Sequence, residues 1–96
     1  MEQKWSKNER KLFKAFLTLK NEKEAANFLR DLLTLKEIEE FSKRLQIAEM
    51  LFTNKKTYKE IAKKVGTSTT TVTRVAQWLF RGEDGYKTVL KRLNLH

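Results

Sequence analysis

The segment YKEIAKKVGTSTTTVTRV, residues 58–75, decides the fold of this chain. It predicts a short helix, a break at Gly66 and a second helix that begins in the Ser/Thr run. Gly66 can adopt the left-handed conformation that ends a helix and turns the chain. Ser68 can cap the second helix by accepting backbone N–H bonds, and Val72 and Val75 then share its inner face. This arrangement predicts a helix-turn-helix.

The outer face of that second helix is polar or cationic, as expected of a helix that lies in a DNA groove. Hydroxyls can bond base edges and phosphates, while cations beside them would bind phosphates. The predicted DNA-binding residues are Thr57, Tyr58, Lys59, Lys63, Ser68, Thr69, Thr70, Thr71, Thr73 and Arg74. Further candidates for phosphate contacts are Lys55, Lys56 and Lys64. The alternative for the Ser/Thr cluster is a capping and turn segment that binds no ligand.

The charge distribution favours a polyanionic partner such as double-stranded DNA. Of the net charge of +9, residues 1–52 contribute +2 and residues 53–96 contribute +7, so the basic excess lies beside the predicted helix-turn-helix. The chain has no proline, three glycines and no apolar run long enough to span a bilayer, which predicts an all-α protein without a membrane segment. The lack of cysteine and of an N-terminal apolar stretch predicts a cytoplasmic location.

Capping-box patterns mark the predicted helix starts. They are Ser6-x-x-Glu9, Thr34-x-x-Glu37 and Thr57-x-x-Glu60, with Asn21-x-x-Glu24 as a close variant. The predicted helices span about residues 6–20, 22–33, 35–52, 57–65, 68–81 and 84–93. The apolar residues of the first helix are Leu12, Phe13, Phe16, Leu17 and Leu19. The clearest apolar stripe lies on the third helix and consists of Ile38, Phe41, Leu45, Ala48 and Phe52, widened by Ile47 and Leu51.

The apolar content of the N-terminal half exceeds what surface helices need. Those helices either fold back on themselves or interlock with a second copy. A two-fold dimer doubles the contacts of one DNA-reading unit, so we predict a homodimer. The predicted organisation is one DNA-binding domain of residues 1–96, with residues 1–53 as dimerisation core, 54–82 as helix-turn-helix head and 83–96 as C-terminal helix.

From residue 33 to residue 79, the chain resembles the tryptophan repressor family. The residues that carry the resemblance are Leu33-Thr34 with Glu37, Arg44 with Ile47 and Glu49, and Thr71-Val72-Thr73-Arg74. The chain is more similar still to the YerC/YecD-type repressor-related group. The resemblance implies an intertwined six-helix homodimer whose N-terminal helices interlock and whose two heads project outward.

The resemblance also implies a corepressor pocket, because members of that family bind L-tryptophan between core and head. Thr34, Arg44 and Arg74 match positions that contact the corepressor. Val75 stands where the family has a glycine, and Trp78 where it has a serine. In a close-packed site these larger side chains should remove the free volume. We therefore predict no L-tryptophan binding and no cofactor, with Trp78 either partly filling the pocket or packing in the dimer core. Another small-molecule effector is left open.

These observations predict a homodimeric, sequence-specific transcriptional regulator that acts as a repressor. The alternatives are a nucleic-acid-binding module without a regulatory role and a helical module whose basic face meets an acidic protein. An enzyme is not predicted, since the single histidine is the terminal His96, cysteine is absent, and the only aspartates are Asp31 and Asp84. The sequence also has no phosphate-cradling glycine loop and no metal-ligand cluster.

Overall fold

Six α helices make up the computed structural model, which describes residues 4–53 and 56–93. They are α1 (Lys7–Phe16), α2 (Glu22–Leu32), α3 (Leu35–Thr53), α4 (Tyr58–Val65), α5 (Thr69–Arg81) and α6 (Gly85–Leu93). Within those described ranges no strand is present. The prediction of an all-α chain with six helices is confirmed.

The four predicted caps all form. Ser6 and Thr57 each accept a bond from the backbone N–H three residues later, and Glu9 and Glu60 accept one in return. Thr34 and Glu37 make the same reciprocal pair, at 3.1 and 2.9 Å. At the fourth cap, the Asn21 side chain accepts from the amide of Glu24 at 2.9 Å. Each reciprocal pair satisfies two backbone N–H groups that a helix start leaves without an intrahelical partner.

The capping bonds keep the three glutamates ionised. For Glu60, the Thr57 backbone N–H and then the Thr57 side chain hold the pKa below its ordinary value, and Glu9 and Glu37 are lowered in the same way by their own caps. A lowered folded-state pKa stabilises the fold above the unfolded value of about 4.3. That stabilisation is lost as pH falls through the lowered pKa.

Helix α1 ends at Phe16, so the predicted extension to residue 20 is wrong. The amides of Leu17 and Thr18 bond the carbonyls three residues back, and the Thr18 hydroxyl bonds the Ala15 carbonyl at 2.7 Å. These bonds tighten the last turn into a form that does not continue as an α helix. The amide of Lys20 instead donates to the Glu24 carboxylate, which draws the chain into the cap of α2.

Two compact units divide the chain, residues 1–38 and residues 39–96. In the first unit neither α1 nor α2 has a buried residue. Its aromatic side chains meet edge to face, with ring centroids 5.1 Å apart for Trp5 and Phe13 and 5.5 Å apart for Phe16 and Phe28. The prediction of one domain split at residues 53 and 82 stays a prediction.

The second unit contains the hydrophobic core. Its buried residues come from four helices: Ile47, Ala48 and Met50 of α3, Ile61 and Ala62 of α4, Val72, Val75 and Leu79 of α5, and Leu90 of α6. The side chains of Ile47, Ile61, Val72, Leu79 and Leu90 are fully buried, at 0–1% exposed. Full burial of one such aliphatic side chain is worth about 1.5–3 kcal/mol. The core therefore fixes α5 against α4, with α3 and α6 completing its surroundings.

The stripe predicted for α3 meets the core only toward its C-terminus. There Ile47 and Ala48 are buried, and Leu51 and Phe52 pack against the core, as predicted. Phe41 and Leu45 are exposed in the single chain, so the helix is not buried along its whole length. The exposed Phe41 ring instead lies beneath the Arg44 guanidinium, 5.5 Å from its ring centroid.

The turn between α4 and α5 depends on Gly66. Its backbone is left-handed, with φ 82° and ψ 48°, and the amides of Gly66 and Thr67 both bond the Ala62 carbonyl at 2.9 Å. Ser68 then caps α5 by accepting from the amide of Thr71. The predicted helix break and cap are confirmed.

We expect Gly66→Ala to lower the free energy of unfolding by about 1–2 kcal/mol, since a Cβ strains a left-handed backbone. A Cβ at Gly66 meets no atom within 4 Å, so the loss would report conformation and not a clash. Gly85→Ala is the matched control, because Gly85 also has open space around it but no positive φ. Urea unfolding at one protein concentration measures both, and equal stability of the two variants would contradict this account of the turn.

Candidate nucleic-acid interface

Helix α5 has two distinct faces. Its inner face consists of the buried Val72, Val75, Ala76 and Leu79. Its outer face is exposed to solvent and carries Thr69, Thr70, Thr73, Arg74, Gln77 and Arg81. The division predicted from the sequence is confirmed by the burial of these side chains. Because the inner face is locked into the core, the outer face is presented in a fixed orientation.

The hydroxyls at the start of α5 differ in how they are bonded. Thr73 donates to the Thr69 carbonyl at 3.0 Å, and the oxygens of Ser68 and Thr71 lie 3.1 Å apart, within hydrogen-bonding distance. Among the described residues, no partner is found for the side chains of Thr69 and Thr70. These two hydroxyls are therefore the ones most available to an external ligand, a distinction that spacing alone does not show.

Cationic side chains surround α4. Lys56, Lys59, Lys63 and Lys64 are exposed, and within the described part of the chain none of them forms an ion pair. Lys55, another predicted phosphate contact, lies outside the described residues. The one acid of α4, Glu60, is held by the Thr57 cap. The exposed surface of α4 is consequently rich in cations that form no ion pair within the described residues; after the Thr57 cap, the charge of Lys56 also lowers the pKa of Glu60.

A shallow groove joins the first residue of α4 to the outer side of α5. Its volume is about 280 Å³, and its lining residues are Tyr58, Thr73, Ala76, Gln77, Phe80 and Arg81. The structure thus brings the predicted contacts Tyr58 and Thr73 together. Phe80, which is exposed in this groove, was not among the predicted contacts; its signal in the sequence is an aromatic residue one position beyond the buried Leu79.

Four residues of the predicted corepressor-like pocket come together in the second unit, namely Arg44, Arg74, Val75 and Trp78. With Thr71 and Tyr86 they line a cavity of about 250 Å³. The fifth residue of the prediction, Thr34, belongs to the first unit, where it caps α3. The spacing of Tyr86 along the sequence places it on the apolar face of α6. That spacing does not indicate that Tyr86 borders a cavity lined by Arg44 and Arg74.

Val75 and Trp78 line this cavity in the single chain, where Trp78 is 63% exposed. The same indole also lines a neighbouring apolar cavity of about 460 Å³, together with Leu45, Glu83, Gly85, Tyr86 and Val89. That these two side chains exclude L-tryptophan stays a prediction. The smaller cavity lies below the range of about 300–1,000 Å³ that is usual for ligand sites.

Gly82 allows Trp78 to take this position. A Cβ at Gly82 would collide with the Trp78 carbonyl oxygen and approach its indole carbon Cε3 to 2.9 Å. The chain therefore passes directly over the last turn of α5 before α6 begins. Any larger residue at position 82 would displace the indole or unwind that turn.

Within residues 4–53 and 56–93, no group of three or more His, Cys, Asp or Glu side chains is arranged to hold a metal ion. The single histidine, His96, lies outside those ranges. No helix in the same described part of the chain is long and apolar enough to cross a membrane.

Comparison with known proteins identifies the family. The family model described as Trp repressor protein matches residues 7–94. The chain belongs to the Trp repressor family. The uncharacterised protein YerC of Bacillus subtilis (strain 168) is 39% identical over 82 residues, which cover 85% of this chain and 78% of YerC.

Two solved structures share the Trp repressor-like fold. A TrpR-like protein from Eubacterium eligens ATCC 27750 has a TM-score of 0.86 and 41% identity, and the match covers 94% of this chain and 92% of that one. A proposed Trp repressor from Staphylococcus aureus has a TM-score of 0.81, again with 41% identity, over 91% of this chain and 86% of that one. The predicted family and the Trp-repressor-like fold are confirmed.

That the natural chain does not bind L-tryptophan stays a prediction. In titration calorimetry we expect no heat of binding from L-tryptophan at micromolar concentration. Val75 narrows the cavity, and Trp78 replaces the serine whose hydroxyl the family resemblance implies for the ligand's amino group. The double variant Val75→Gly, Trp78→Ser enlarges the same cavity and should bind more tightly than the natural chain. Micromolar binding to the natural chain would contradict this expectation.

Proposed function

We propose that this member of the Trp repressor family is a sequence-specific DNA-binding transcriptional regulator that acts as a repressor. In this proposal the α4–α5 pair is a helix-turn-helix, and α5 lies in the major groove. The single observation that carries it is the outer face of α5. It places unbonded Thr69 and Thr70 hydroxyls and the Arg74 guanidinium on a helix whose opposite face is locked in the core.

The remaining candidate contacts fit the two usual roles at such an interface. The lysines of α4 and the Tyr58 hydroxyl would bind phosphates, which hold the protein in register without reading sequence. Thr69 and Thr70 would meet base edges, where hydroxyls bond donors or acceptors and threonine methyls contact the thymine methyl. Because the first turn of α5 offers no side chain for paired bonds to one base, part of the specificity would come from DNA shape and bridging water.

We further propose that the regulator is a homodimer. Large apolar side chains remain exposed in the single chain, among them Leu17 at 84% and Leu35 at 65%. The others on α1 to α3 are Leu12, Phe13, Phe16, Leu32, Phe41 and Leu45. Soluble monomers rarely leave so much apolar surface uncovered, and a second copy is the covering that the family resemblance implies. The regulator would act in the cytoplasm and without L-tryptophan.

The DNA proposal predicts that Thr70→Ala and Arg74→Gln weaken binding to a selected duplex. We expect affinity to fall about tenfold for Arg74→Gln, with a salt slope reduced by about 1, because a cation that meets the DNA is removed. The expected fall for Thr70→Ala is about threefold to tenfold, with an unchanged slope, since one neutral bond is worth about 0.5–1.5 kcal/mol. Fluorescence anisotropy at several salt concentrations measures both quantities.

Arg92→Gln on α6 is the matched control, since it removes the same charge from an exposed position outside the predicted interface. Equal effects of Arg74→Gln and Arg92→Gln would show that only net charge matters, which would contradict the assigned interface. If the natural chain bound RNA but no duplex DNA, the nucleic-acid module without regulatory role would replace this proposal. Binding to neither would leave only the protein-interaction module.

The dimer proposal predicts a mass in light scattering of twice the chain mass of 11.4 kDa. Leu35→Asp should shift the equilibrium toward the monomer, because it places a charge on a side chain that is 65% exposed in the single chain and that the proposed dimer would bury. Lys36→Asp is the control, an exposed neighbour that receives the same side chain. A monomeric natural chain at micromolar concentration, or equal behaviour of the two variants, would contradict the dimer.

A further inference from the structure

One face of α1 carries a continuous row of cations. The row consists of Lys7, Arg10, Lys11 and Lys14, and Lys4 lies three residues before Lys7. Residues three and four apart lie on one side of a helix, so the four helical cations share a single face. All five are exposed. The nearly balanced charge of residues 1–52 conceals this local concentration.

None of these cations forms an ion pair within the part of the chain that the structure describes. The ion pairs found there are Lys43 with Glu39 and Lys87 with Asp84, neither of which involves α1. The only acid of α1 is Glu9, and its carboxylate accepts from the Ser6 backbone N–H at 2.8 Å. The described surface around α1 therefore keeps a net positive charge.

Trp5 borders the same face. It lines an open cavity of about 630 Å³ together with Lys7, Arg10, Lys11 and Lys14. Its ring packs edge to face on Phe13, which fixes its orientation while half of the side chain stays exposed. Four cations that line one groove form the electrostatic footprint of a nucleic-acid-binding surface, and the exposed ring lies beside them.

The opposite side of α1 decides which polyanion fits. Phe16 packs on Phe28 of α2, but Leu12, Phe13 and Phe16 remain 37–41% exposed in the single chain, and the proposed homodimer would cover them. A helix that lies on a membrane needs its apolar side free to enter the lipid. With that side covered in the proposed homodimer, the cationic face points to a polyanion in water, and duplex DNA is the one that the proposed function supplies.

We propose that the cationic face of α1 is a second DNA-binding site, at which Lys7, Arg10, Lys11 and Lys14 bind backbone phosphates and Trp5 packs beside them. This proposal rests on the proposed function for its ligand but concerns residues outside the α4–α5 pair. The site reads no sequence. It adds affinity that depends steeply on salt, because each neutralised phosphate releases condensed counterions.

The test is the salt dependence of duplex binding by the variant K7Q/R10Q/K11Q/K14Q. The slope of log affinity against log salt should become shallower by about 0.9 for each phosphate that the variant no longer neutralises. Thr70→Ala should lower affinity for the selected sequence and leave the slope unchanged. The control K20Q/K23Q/K36Q/K91Q removes the same charge from exposed positions and should retain the natural slope. Circular dichroism checks that both variants keep their helical content.

Trp5 supplies a second readout. The chain has two tryptophans, so in a Trp78→Phe background the tryptophan fluorescence comes from Trp5 alone. Addition of duplex DNA should change its emission, and the K7Q/R10Q/K11Q/K14Q substitutions in that background should abolish the change. This measurement does not depend on the sequence preference of α5.

Equal slopes for the two charge variants would overturn the inference while leaving the proposed function intact. If the natural chain bound no duplex DNA, the proposed function itself would fail, and this inference with it. A third outcome concerns vesicles of phosphatidylserine and phosphatidylcholine. If the natural chain bound these vesicles, and the α1 substitutions abolished that binding but left the salt dependence of DNA binding unchanged, the inference would be overturned in favour of a membrane site.

Discussion

The packing of Val72 with Ile61 and Ile47 is the interaction on which the rest of the structure depends. The three side chains are fully buried in one cluster and come from α5, α4 and α3. They hold α5 at a fixed position against its neighbours, with Leu79 and Leu90 extending the cluster toward α6. A recognition surface on α5 is useful only if the helix does not rotate, and rotation would expose these aliphatic groups to water at about 1.5–3 kcal/mol each.

The small size of that core supports the proposed dimer. Among the described residues, all the buried ones lie between Ile47 and Leu90, whereas α1, α2 and the first part of α3 leave aliphatic and aromatic side chains exposed. A 96-residue chain has little interior, and a second copy is a common way to enlarge it. The chain can therefore be understood as two chemically different parts, one that fixes α5 internally and one whose apolar surface the proposed second copy would cover.

Features set by neighbouring residues were predictable from the sequence. The Thr57–Glu60 cap, the left-handed Gly66 and the two faces of α5 all follow from local rules of helix geometry. Features set by distant parts of the chain were not predictable. Tyr86 is an example, because its place in the cavity wall depends on how α6 returns toward α5. The pocket could be located through Arg44 and Arg74, but its open volume could not be foreseen from side-chain size.

The end of α1 lies between these two cases. Its apolar pattern continues to Leu19, but the helix stops at Phe16 because the amide of Lys20 bonds the Glu24 carboxylate of the next helix. Two competing local signals, an apolar periodicity and a cap, overlap there. Spacing alone does not say which of them prevails.

The central claim is that two copies of α5 read DNA about a two-fold axis. Selection of bound duplexes from a random library tests it most directly. The account predicts enrichment of an inverted repeat whose half-site centres lie about 10 base pairs apart, or a multiple of that spacing, because two-fold symmetry of the protein is mirrored in its operator. Enrichment of a single unrepeated site, or of no sequence at all, would contradict it.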